Sequence, residues 1–176
     1  MNMGQSGTRL VVAIGGLALA LGVVSWWYRF ESAHRATQFW GPAAAELIAE
    51  RSDVLGLKLE LAPEPVDGVP SGDWISLSPH DYETPLRKDL TDAPGMVHLR
   101  HALLTDSNYL WMKRPEVPDT WRWVLRFSQG DRYVLILLSD DLARLGKSMN
   151  SSPIEMISCQ PMTATLREYF VALGLK

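Results

Sequence analysis

His98 and His101 are residues whose type and spacing could do chemistry in this 176-residue chain. Three positions apart on an expected helix, their imidazoles share a face and could hold a divalent metal, with His80 or Asp81 as further ligands. They also lie with Thr105 opposite Met96, Leu99 and Leu103, so a solvated helix face accounts for them without any ligand. Cys159 precedes Gln160-Pro161 and could act as a thiolate at a helix N-terminus. Its apolar neighbours favour a buried structural thiol instead. Being the single cysteine, it excludes an internal disulfide and any multi-cysteine zinc or iron–sulfur site.

Asp140-Asp141 could form a carboxylate pair for acid/base work or a cation site, although adjacent aspartates after a strand commonly cap a turn. Arg122, Arg126 and Arg132 could line an anion-binding sheet face, since alternate strand residues project together. The simpler reading is a solvated face, and it is the one adopted. No nucleotide, hydrolase, kinase, haem or zinc-protease signature occurs. We therefore assign no catalytic, cofactor-binding or metal residue from the sequence.

The elements that must position these groups are legible in part. Gly41-Pro42 breaks a helix that continues from Phe30 and starts another, from Pro42 to about Ser52. Leucines at 55, 57, 59 and 61 have the period of a half-buried strand, and residues 74–77 form a short one. Residues 78–95, with three prolines, read as irregular before Asp92 caps a helix reaching Leu104. "WRWVLRF", "SQGD" and "RYVLILL" form a hairpin. Its first arm places Trp121, Trp123, Leu125 and Phe127 on one face and the arginines on the other. "SDDLARLGK" reads as a helical turn, "IEMISC" as the last strand, and residues 163–173 as an amphipathic helix. The face carrying Trp121, Trp123, Leu125 and Phe127 is expected to be covered by Leu166, Phe170 and Leu173 of that helix.

At the other end, residues 10–28 carry no charge, and 19 residues match a hydrocarbon core of roughly 30 Å. Trp26, Trp27 and Tyr28 read as interfacial aromatics, with Arg29 and Arg35 beyond them in water. A cleavage site at Ala18-Leu19-Ala20 would leave an apolar terminus, so an uncleaved anchor is preferred to a removable signal.

The expected organisation is a tail over 1–9, a transmembrane anchor over 10–28, a juxtamembrane helix or linker over 29–41 and a domain over 42–176. The expected fold class is α+β: the transmembrane helix, then an antiparallel or mixed sheet of about 4–5 strands covered by helices. The expected localisation is single-pass in a membrane, with the domain extracytoplasmic and the lipid bilayer met through residues 10–28. Seventeen Lys and Arg against 20 Asp and Glu, without a basic stripe, speak against nucleic acid. The expected function is non-catalytic: protein interaction or envelope assembly. The alternative is a membrane-tethered metal-dependent enzyme or metal-binding domain using His98 and His101.

Overall fold

The computed structural model describes residues 14–27, 35–62, 73–77, 80–113, 115–118, 120–149 and 152–175. The chain divides into two units, one up to Arg35 and one from Ala36 onward. In the first, helix α1 is described over 14–27, with Ile14, Leu17, Leu21 and Trp27 exposed. No helix among the described residues is long and apolar enough to cross a membrane. This overturns the expected transmembrane helix and the single-pass, extracytoplasmic localisation drawn from it. Residues 10–13 and 28 of the expected span lie outside the described residues.

The second unit is dominated by one sheet. Seven strands, β1 (Asp53–Leu61), β2 (Trp74–Leu77), β3 (His80–Asp89), β4 (Trp121–Gln129), β5 (Arg132–Ser139), β6 (Arg144–Met149) and β7 (Glu155–Ser158), lie in the order β2-β3-β1-β4-β5-β6-β7. Every pairing is antiparallel, and the sheet curls into a half-barrel. The expectation of 4–5 strands in an α+β layer is thus corrected: the fold is mainly sheet, with short helices.

Both missed strands have physical reasons for their silence. β3 contains Pro85, which removes a ladder donor. It is tolerated because pairing with β1 slips there, from Lys58↔Leu86 to Glu60↔Glu83, so that Pro85 sits in an irregularity of the ladder. β6, Arg-Leu-Gly-Lys-Ser-Met, shows no apolar alternation. Its Gly146 leaves space on the sheet: an added Cβ would come within 2.8 Å of Ile154 and 2.9 Å of the Trp121 ring.

Helices α2 (Arg35–Trp40), α3 (Pro42–Ala49), α4 (Met96–Leu103) and α5 (Thr163–Ala172) contribute to a core with one sheet face. Trp123, Leu125 and Phe127 point into that core, as do Val134, Ile136 and Leu138 of β5. Trp123 meets Phe170 of α5 edge to face, with ring centroids 5.4 Å apart. The strand's faces are therefore those expected, with one correction. Trp121 joins the opposite cluster, because the β4–β5 register shifts between Trp121 and Trp123. The hairpin tip, Gly130-Asp131, is a two-residue loop whose Gly130 has φ of 60°, a conformation favourable for glycine.

Candidate functional site

Among the described residues, the side of the half-barrel away from the helices is an open cleft of about 1340 Å3. Side-chain alternation builds it. Leu55 and Leu57 of β1, Tyr82 of β3, Leu135 of β5 and Met156 of β7 line it from across the sheet. Trp74, Ile75 and Leu77 of β2, with Pro153 and Ile154 before β7, line it from the two ends of the strand order. The buried cluster beneath contains Leu59, Trp121, Val124 and Leu137.

Charged side chains interrupt this apolar lining at Asp73 and Arg87 and, near its middle, at Arg126. Arg126 pairs across the sheet with Leu55 on one side and Leu135 on the other, and Leu135 pairs with Ser148. The Arg126 guanidinium lies over the Tyr133 ring, 4.9 Å from its centroid. Its Nε is buried and has no hydrogen-bond partner. Arg87, also lining the cleft, is held by Asp73 at 2.5 Å. Ser148 donates to the Ser152 carbonyl at 2.8 Å. Family models, curated proteins and solved structures yield no match to this chain.

The residues singled out from the sequence are dispersed. His98 and His101 are exposed on α4, whereas His80 lines the cleft on the other side of the sheet beside Tyr82. Among the described residues, no group of three or more His, Cys, Asp or Glu could hold a metal ion. The three arginines likewise do not share a face. Arg122 is 3.7 Å from Asp140, and Arg132 bonds Glu46 at 3.3 Å and Gln129 at 2.7 Å. Only Arg126 of the three lines the cleft. The solvated role expected for it is corrected by that buried Nε.

Cys159 is buried, donates to the Leu142 carbonyl and has its thiol pushed up to about 12 by burial. A thiolate is thereby disfavoured at neutral pH. Its place is structural, against the β5–β6 turn in which Leu142 adopts a φ of 59°.

Asp141 secures the same turn. Burial alone would raise its carboxyl, but hydrogen bonds from Arg144, Ser139 and the Ala143 N–H outweigh that effect and hold it at about 2. The ordinary value is 3.8, so this carboxylate contributes stability that is present above about pH 4 and is lost as pH falls through 2. With 46% of the side chain exposed, solvent screening limits the contribution to about 1 kcal/mol. Asp141→Asn should flatten the loss of stability between pH 4 and 2 in denaturation curves. An unchanged slope would separate this carboxylate from the acid response.

The sequence signal that could have located the cleft is weak. Leu55, Leu57 and Arg126 each appear as one residue of an ordinary alternating strand, and their juxtaposition comes from pairings over about 70 positions of chain. His98 and His101 attracted the reading because their proximity is local. Arg100, one of the two residues between them, matters more to the fold.

Proposed function

We propose that residues 36–176 form a non-catalytic binding domain that receives its partner in the open cleft of the half-barrel. The supporting observation is the mostly apolar sheet face, open among the described residues, with Leu55, Ile75, Leu135 and Ile154 only partly buried. Exposed apolar surface gathered in a concavity is what binding sites use, because an occupant releases its water. Catalysis would further require a nucleophile or acid–base pair placed to act together. The cleft lining offers His80, the Ser76, Ser148 and Ser152 hydroxyls and the Asp73–Arg87 pair, with the Asp73 carboxylate engaged by Arg87 and Ser148 donating to the Ser152 carbonyl.

A neutral apolar dye tests the reading on the full chain. Nile red should bind saturably, with energy transfer from Trp74 and Trp121, which line the cleft. Leu135→Glu places a carboxylate beside Arg126, its cross-strand partner, and should weaken binding about tenfold or more while the protein remains folded by circular dichroism. The exposed apolar side chains of α1 can also take up dye, so the difference between wild type and variant is the measurement. Equal binding by the two folded proteins would remove the cleft as the site.

A further inference from the structure

We infer that the cleft holds a single-chain amphiphile with an anionic headgroup, a long-chain carboxylate, whose charge is received by Arg126. This rests on the cleft being a binding site and goes further by naming the chemistry of the occupant. The argument starts from the cost of a charge in such a place. A guanidinium surrounded by apolar side chains is unfavourable unless its donors are satisfied. Elsewhere in the fold that requirement is met. Arg87, Arg122, Arg132 and Arg144 each have an acidic partner, and Arg100 is surrounded by carbonyls.

Arg126 differs from them. Among the described residues no carboxylate is within ion-pair distance of it, its Nε is buried without a partner, and Tyr133 supports the plane of the group rather than its donor edge. Leu55 and Leu135 flank it in the sheet. The acidic side chain lining the cleft is Asp73, which is paired with Arg87. An arriving carboxylate therefore meets a half-buried guanidinium whose Nε has no partner, where a charge-assisted hydrogen bond is partly shielded from water. Leu55 and Leu135 beside Arg126, and Ile75 and Ile154 farther along the cleft, provide apolar cover for a chain attached to that carboxylate. About 1340 Å3 gives ample space for one acyl chain. The pattern needs both parts of the ligand: a small anion leaves the apolar lining wet, and a neutral hydrocarbon leaves Arg126 without a partner.

Displacement of Nile red from the full chain tests this, with dodecanoate and dodecyltrimethylammonium compared below their micelle concentrations and acetate as the chain-free anion. Dodecanoate should displace the dye at least tenfold more effectively than the cation, and acetate should not displace it. Arg126→Met should abolish the at least tenfold preference for dodecanoate over dodecyltrimethylammonium, both measured by displacement of the dye from that same variant. Arg126→Gln, a second uncharged variant, should do the same if the first folds poorly. Equal displacement by the two amphiphiles, or an unchanged preference for dodecanoate in a folded Arg126 variant, would overturn the assignment while leaving the cleft as an apolar site. If Nile red binding itself is insensitive to Leu135→Glu, both the site and the assignment fall.

Discussion

Trp123→Ala should lower stability by about 3–5 kcal/mol, close to the whole folding free energy of many small domains. The indole is 7% exposed, lies in the core between sheet and helices, and meets the Phe170 ring at 5.4 Å. Truncation would remove that contact and leave a void bounded by β4 and α5, elements whose backbones are fixed by other pairings. Trp74→Ala is the natural control. That ring is 49% exposed on β2 at the end of the strand order, and its loss should cost about 1 kcal/mol or less. Urea denaturation of the two variants, followed by circular dichroism, gives both values. A mild Trp123 effect beside a severe Trp74 effect would mean that the sheet's cleft side, rather than its helix-covered side, carries the main core.

The same hairpin shows what a sequence can and cannot reveal about this fold. Period-two alternation placed Trp123, Leu125 and Phe127 together because an uninterrupted strand must project alternate residues to one side. It misplaced Trp121, since the register shift before Trp123 leaves no mark in the alternation. β1 was legible by its leucines, and α5 by its helical spacing. β3 was hidden by a proline that only a ladder irregularity tolerates, and β6 by a glycine and polar residues that suit the crowded curl of the sheet. Lys147 in β6 illustrates the point: its ammonium pairs with its cross-strand partner Glu155 and bonds the carbonyl of Phe39, a distant part of the chain. Arg126 was noticed as a possible anion ligand, but its companions Arg122 and Arg132 have acidic partners elsewhere. The run at 10–28 was read as an anchor from its length, its apolarity and its flanking aromatics and arginines, whereas no helix among the described residues is long and apolar enough to cross a membrane.

Arg100→Met should cost about 3 kcal/mol, whereas His98→Ala and His101→Ala, on the exposed side of the same helix, should each cost about 0.5 kcal/mol or less. Arg100 is 9% exposed and lies across the end of α3. Its Nη1 is within bonding distance of the Leu47, Ile48 and Glu50 carbonyls and of Ser52 Oγ, while Nη2 bonds the Ser52 carbonyl at 2.6 Å. Two hydrogens on Nη1 must be shared among four acceptors, so the group acts as a common cap for carbonyls that the helix cannot satisfy itself. The guanidinium also covers the Phe127 ring at 5.0 Å, joining α3, α4 and β4 at one point. Burial depresses its pKa, the direction expected for a cation removed from water, yet arginine remains charged at any pH the protein meets. Methionine would preserve much of the packing and remove the guanidinium from those carbonyls, with Leu47 and Glu50 still accepting from the Ser52 hydroxyl and N–H. Lysine would restore the charge without the fork and should recover only part of the loss. Thermal melts should therefore rank wild type above Arg100→Lys above Arg100→Met, with the methionine variant lowered by roughly 10 °C. A methionine variant melting within a degree of wild type would mean that water can replace the guanidinium at these carbonyls, and that α3 is held by its apolar face alone.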